Sequence, residues 1–214
     1  MITTRDKQVI ISIGKHKVLT REQIQYLYFP SYQTAQRRIR EEYIPKGYIS
    51  QPFYIDVSKR GSRMPVYRLE RKGKEKYREY TGKKYYTPRW NINYLPHLIE
   101  LNWVLITLNA ENFKLEYRKG AVQMDAYFQN TAIELDHSES ETKSEIQRQY
   151  ENYEKLYMKS DVLDTLVYVS NRRFKLYNWI KEIAISDLEI KFCERNEDSI
   201  NKLRKKLMLL HPIK

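Results

Sequence analysis

Three carboxylates, Asp125, Glu134 and Asp136, have the types and the spacing to do chemistry. They fall in two alternating segments, 122–128 and 131–136, that predict the arms of a β-hairpin. A two-residue turn at Gln129-Asn130 sets Asp125 opposite Glu134; a turn at Asn130-Thr131 sets it opposite Asp136. In either register all three share one sheet face, because 134 and 136 differ by two. Opposed side chains have Cβ atoms about 4.5–5.5 Å apart, a distance at which like charges repel. Such a cluster is normally offset by a cation, and carboxylate oxygens favour Mg²⁺ or Mn²⁺. A divalent ion there could polarise a phosphate and activate water. Asp125, Glu134 and Asp136 are therefore the candidate catalytic and metal-ligating residues, with Mg²⁺ or Mn²⁺ as the candidate cofactor. The competing expectation is a solvated acidic face on an antiparallel hairpin.

An α/β domain must position that hairpin. Residues 97–112 predict an amphipathic helix with Leu98, Leu101, Val104, Leu105 and Leu108 on one side. A strand follows at 113–117, then the hairpin, then a helix over about 140–158. The apolar, β-branched run 164–170 predicts a buried central strand. A helix over 172–183, a strand over 188–192 and a helix over 199–210 complete the order α-β-β-β-α-β-α-β-α, an α/β sandwich with a mixed sheet. Tyr150, Tyr153 and Tyr157 recur at helical steps and predict a packed face; a tyrosine nucleophile for strand transfer is the rarer use of such a row. The four histidines lack i, i+4 zinc spacing, although His137 adjoins Asp136. There is neither a Walker A run nor a G-x-G-x-x-G, so nothing points to nucleotide binding.

The N-terminal half has a different character. Residues 1–94 hold 21 Lys and Arg against 8 Asp and Glu, a net of +13, whereas 95–214 hold 18 against 19. Clustered cations of this kind are favoured by backbone phosphates through counterion release. Residues 4–14 predict a helix capped by Thr4 and ended by Gly14. Thr20 and Gln23 form a capping box that opens a second helix, stopped at Pro30. Ser31 caps a third helix to about Tyr43, in which Ala35, Ile39 and Tyr43 face inward and Gln33, Thr34, Gln36, Arg37, Arg38 and Arg40 face solvent. Strands over 48–55 and 65–69 flank a basic turn at 58–63, and a charged fourth helix ends near Gly82. Three helices followed by a hairpin with a basic tip is the order of a winged helix-turn-helix. The third helix (Gln33, Thr34, Arg37, Arg38, Arg40) can read base edges in a major groove. The tip (Lys59, Arg60, Arg63) can reach phosphate or the minor groove. The expected organisation is a winged helix over 1–82, a linker over 83–94 with basic residues among aromatics, and the α/β domain over 95–214.

Cys193 is the lone cysteine, which excludes internal disulfides and cysteine-based zinc sites and sets a reducing, cytoplasmic expectation. No apolar run is long enough to span a bilayer, and no secretory h-region is expected at the N-terminus.

The hairpin with Asp125 and then Glu134-Leu135-Asp136 is similar to the core of the PD-(D/E)xK, restriction-endonuclease-like folds. The resemblance implies that Asp125 and Glu134 hold a metal. Asp136 stands where that pattern has Lys, a cation that Lys143 or Arg148 would have to supply. A second resemblance spans about Thr4 to Phe192. The run 124–128, Glu134-Leu135-Asp136, the acidic turn Ser138-Glu139-Ser140-Glu141, the helix with Gln147, Arg148, Tyr150 and Tyr153, and His97-Leu98 at the head of the long helix resemble the plasmid replication-relaxation family. That family joins a winged helix to a domain of this kind. The resemblance implies an α+β chain that binds double-stranded DNA at an origin-like site in plasmid replication or conjugative mobilisation. Two alternatives stay open: a Mg²⁺- or Mn²⁺-dependent nicking endonuclease, or relaxase, using the three carboxylates, and a transcriptional regulator whose C-terminal domain forms a homodimer.

Overall fold

The computed structural model describes residues 2–56, 63–87, 92–136 and 141–210. The chain is a mixed α+β protein with two sheets, and it divides into two compact units, Met1–Trp103 and Val104–Lys214.

In the first unit, α1 (Thr4–His16) is capped by Thr3 rather than Thr4: the Thr3 hydroxyl accepts from Asp6 N–H, and Asp6 accepts from Thr3 N–H. Gly14 does not end α1. It lies inside the helix because the ring of Tyr77, on α4 (Arg71–Thr81), comes within 2.1 Å of where a Cβ would sit. Strand β1 (Leu19–Thr20) leads into α2 (Arg21–Tyr28), whose Thr20–Gln23 capping box forms as expected. Ser31 caps α3 (Tyr32–Arg38), which continues as a π-helical turn over Ile39–Tyr43. The expected inward residues Ala35, Ile39 and Tyr43 are all buried.

Strand β2 (Phe53–Asp56) is shorter than expected. Pro52 has no N–H to give a ladder, and Ser50 instead closes the gap by donating its N–H to Arg68 O. Strand β3 (Arg63–Tyr67) lies between β1 and β2, antiparallel to both. Gly82 ends α4 in the left-handed conformation. Helix α5 (Leu95–Leu108) was expected to belong wholly to the C-terminal domain, but its first half packs with the N-terminal unit. Asn102 Nδ2 donates to Val18 O at 2.8 Å and Asn102 Oδ1 meets His16 Nδ1 at 2.9 Å, while Gln23 Nε2 donates to Ile99 O. Burial pushes the His16 pKa down to about 4, so the ring is neutral at pH 7.

The second unit holds a five-stranded sheet in sequential order: β4 (Lys114–Lys119), β5 (Val122–Phe128), β6 (Thr131–Leu135), β7 (Thr165–Val169) and β8 (Glu189–Cys193). The first three run antiparallel and the last three parallel. Every residue of β6 and β7 is buried, as in a central strand covered on both faces. The crossovers are α6 (Lys143–Lys159) and α7 (Arg173–Lys181), and α8 (Glu197–Leu210) closes the unit. Ile146, Tyr150 and Tyr153 of α6 join Met124, Ala132, Leu166, Leu176 and Ile180 in one apolar core. Among the described residues, no helix is long and apolar enough to cross a membrane.

Candidate functional site

Helix α3 turns Gln33, Gln36, Arg37 and Arg40 to solvent, while Thr34 is half-buried. The Thr34 hydroxyl lies 2.9 Å from Ser31 Oγ within the helix cap. Arg40 pairs with its neighbour Glu41 on the open surface, an arrangement of little energetic weight. Arg38 departs from the expectation of a solvent-facing side chain. Its Nε and Nη2 donate to the two Asp6 oxygens at 3.1 and 2.6 Å. Tyr43 Oη donates to the same carboxylate at 2.7 Å, an approach made across the π-helical turn. Burial opposes the charge on Asp6, but the bonds from Arg38, Thr3 and Tyr43 win and hold its pKa well below the usual carboxylate range. Asp6, which composition does not single out, thus ties α3 to α1. Arg63 lies exposed on β3 and pairs with Asp56 across the hairpin at 3.5 Å. Lys59 and Arg60 lie outside the described residues.

In the second unit, Gln129 and Asn130 both have left-handed φ, the mark of a type I′ turn. Ala126 pairs with Ile133 and Phe128 with Thr131, so the first of the two registers holds and brings Asp125 opposite Glu134. Beyond Ala126 the ladder gives way to a side chain, and Leu135 N–H donates to Asp125 Oδ2 at 2.8 Å. Glu134 is 7 % exposed and Asp136 6 %, so neither belongs to a solvated acidic face. Glu134 points at α6: Gln149 Nε2 donates to Oε2 at 2.9 Å and the Tyr153 hydroxyl donates to Oε1. Burial, and then the charge of Asp125, push the Glu134 carboxyl well above its ordinary range; hydrogen bonding from Tyr153 only partly offsets this. Tyr153 is fully buried among core residues, and its hydroxyl is pushed well above the ordinary phenol range by burial and by Glu134.

Asp136 does not join the pair. Strand β6 ends at Leu135, and Asp136 is taken up by the segment that follows β7. Arg172 Nε and Nη2 donate to its two oxygens at 2.6 and 3.1 Å, and Ser170 Oγ donates at 2.6 Å. Both members of the ion pair are nearly buried. Arg172 also donates to Glu141 O at 2.7 Å. Sequence reasoning missed Arg172, although a signal exists: Leu135 pairs in parallel with Val169, so residues just past both strand ends must meet. Among the described residues, no group of three or more His, Cys, Asp or Glu stands close enough to hold a metal. Asp125 and Glu134 remain together as two carboxylates, and Mg²⁺ is commonly held by one or two carboxylates with water and substrate phosphate completing its shell. Of the two cations expected to replace the missing Lys, Lys143 pairs with Glu182 at the start of α6, and Arg148 lines a cleft with Gln123, Glu141 and Gln149. His137 lies outside the described residues.

No curated protein and no solved structure matches the chain. The replication-relaxation family model does match, over residues 11–164, well over half of the chain and parts of both units. With that extent of match the chain belongs to the replication-relaxation family, a membership that ties it to plasmid replication or relaxation and thereby to DNA.

Proposed function

We propose that the chain is a plasmid DNA-binding protein whose N-terminal unit acts as a winged helix-turn-helix on duplex DNA during replication or mobilisation. The observation that carries this is the exposure of Gln33, Gln36, Arg37 and Arg40 along α3, on a helix whose other face is locked by Ala35, Ile39 and Tyr43. Amide and guanidinium groups on one solvent face suit base edges and phosphates together. The β2–β3 hairpin would be the wing, with Arg63 on the last rung before its turn. The large positive net charge of the N-terminal half supports the same assignment. The αβββαβ order from α5 to β7 supports a restriction-endonuclease-like core as the reading of the C-terminal unit. Here the third carboxylate is held by Arg172, which favours a binding or scaffolding role over cleavage.

The test is duplex affinity measured across salt on origin fragments of the host plasmid. Arg37→Ala combined with Arg40→Ala should lower affinity by about 1–3 kcal/mol for each base contact removed, or flatten the salt slope by about one for each phosphate contact. Unchanged affinity and slope would overturn the assignment of α3. The same protein is incubated with supercoiled plasmid in Mg²⁺, Mn²⁺ or EDTA. Metal-dependent conversion to open circle, lost in Glu134→Ala, would instead make the chain a nickase.

A further inference from the structure

Helix α7 carries a surface that the preceding proposal does not use. Residues 172–181 contain Arg172, Arg173, Lys175 and Lys181 and no Asp or Glu, within a C-terminal half that is near neutral. Arg172 is bound to Asp136, and Arg173 pairs with Glu194 at 2.8 Å. Among the described residues, Lys175 and Lys181 form no ion pair. Leu176 and Ile180 face the core. The opposite stripe presents Phe174, 71 % exposed, and Tyr177, 46 % exposed. Residues three apart on a helix are neighbours, with Cβ atoms about 5–6 Å apart. Cations lie against these rings: the Arg173 guanidinium is 4.7 Å from the Phe174 centroid, and Lys181 Nζ is 5.8 Å from that of Tyr177.

This surface is held in place. The Tyr177 ring meets Phe192 edge-on at 5.7 Å, and Phe192 stacks on buried Tyr168. The first turn of α7 is anchored through Arg172 to Asp136, and α6 reaches Trp179 O through Gln147. Phe174 and Tyr177 together leave an apolar patch partly open to water on this braced helix. Lys181 lies against Tyr177, Lys175 lies over the neighbouring Trp179 ring at 4.8 Å, and apolar faces bordered by ammonium groups free of ion pairs among the described residues match a ligand with planar π-faces and regularly spaced negative charge. A duplex hides its base faces, whereas a single strand offers them.

The geometry points to the exposed face of α7, Phe174 and Tyr177 with Lys175 and Lys181, as a binding site for single-stranded DNA. The rings stack on successive unpaired bases and the lysines take the backbone phosphates. The site lies on the C-terminal unit and does not depend on the duplex contacts proposed for α3.

The experiment uses the full chain, a short fluorescein-labelled oligothymidylate and a duplex of equal length, with affinities read by anisotropy at low salt. Phe174→Ala with Tyr177→Ala should weaken oligothymidylate binding at least about tenfold, since stacking on each base is worth that much by truncation. Duplex affinity should be unchanged. Lys175→Glu with Lys181→Glu, both on open surface, should give the same selective loss and keeps the test valid if the aromatic variant folds poorly. Wild-type protein that binds no oligothymidylate would overturn the site. So would variants that bind it like wild type, or that lose single-strand and duplex affinity equally. A fall in sedimentation mass in the aromatic variant, with single-strand affinity retained, would identify the face as a contact between copies of this chain and would also overturn it. Arg37→Ala with Arg40→Ala serves as the separate control, because it should lower duplex affinity alone.

Discussion

Replacing Glu134 by Gln should stabilise the protein at neutral pH, and the gain should grow with pH. Glu134 is buried, its two oxygens accept from Tyr153 and Gln149, and Asp125 lies opposite it across the hairpin. Burial first and Asp125 second raise its pKa in the fold. Below the ordinary glutamate range, near 4.5, the folded and unfolded chains both carry the proton and the residue contributes no pH dependence. Above it the unfolded chain releases the proton while the fold retains it. Ionisation then favours unfolding, and stability falls with rising pH until the folded pKa is passed. One proton sets a ceiling of about 1.4 kcal/mol per pH unit on that fall. Gln cannot ionise, yet it keeps a carbonyl to accept from Gln149 and an amide to meet the Tyr153 oxygen. The assay is urea denaturation of wild type and Glu134→Gln at a series of pH values from 4 to 8. The difference between the two curves cancels every other titrating group. It should be smallest near pH 4 and widen above it, and Asp125→Asn should narrow it by removing the second cause. A difference that stays flat with pH would refute the buried, proton-bearing carboxyl. Added Mg²⁺ provides a further check, because a cation seated between Asp125 and Glu134 would stabilise the fold by mass action and erase the slope.

Three further outcomes follow from the packing. Asp6→Ala should cost about 3 kcal/mol in urea denaturation, because it strands Arg38 and Tyr43 and removes the box that caps α1. Since the fold lowers the Asp6 pKa, that stabilisation is present above the unfolded aspartate pKa, 3.8, so the penalty should shrink as pH falls below it. Arg172→Ala should cost about 3–5 kcal/mol by leaving Asp136 buried without its cation, and Asp136→Ala with Arg172→Ala should cost less than the two single losses together, as a double-mutant cycle would read. Gly14→Ala should cost about 1–3 kcal/mol by forcing the Tyr77 ring aside, and in a Tyr77→Ala background the same change should lower the melting temperature no further.

Elements with a local cause were legible in the sequence. Thr20 and Gln23 cap α2 because the box needs only residues three apart, and Gly82 ends α4 because a left-handed residue is needed there. The type I′ turn at Gln129-Asn130 was one of two registers that composition allowed; Asn130 sits in both, and the other would have put β-branched Thr131 at a position of positive φ. What could not be read were contacts made across distance. Gly14 looks like a helix end from one side and is a packing gap from the other, because only the approach of Tyr77, 63 positions away, requires it. Asp6 looks like a first-turn acid of α1, yet it collects Arg38 and Tyr43 from the third helix.

The same distinction bears on the carboxylates. Spacing alone places Asp125, Glu134 and Asp136 on one face, and that holds only while the chain remains a strand. The strand ends at Leu135, and the next strand in the sheet, β7, runs parallel to it. A parallel neighbour brings the ends of β6 and β7 to the same edge, where Asp136 meets Ser170 and Arg172. The guanidinium therefore holds the Asp136 carboxylate in a nearly buried ion pair, and it fixes the start of α7 in doing so. Arg172 thus links two properties. The charge that pairs with Asp136 also steadies the helix that displays Phe174 and Tyr177. Loss of Arg172 should then loosen single-strand binding at α7 without creating nuclease activity, since Asp136 released from its partner still lies past the end of the strand that carries Glu134.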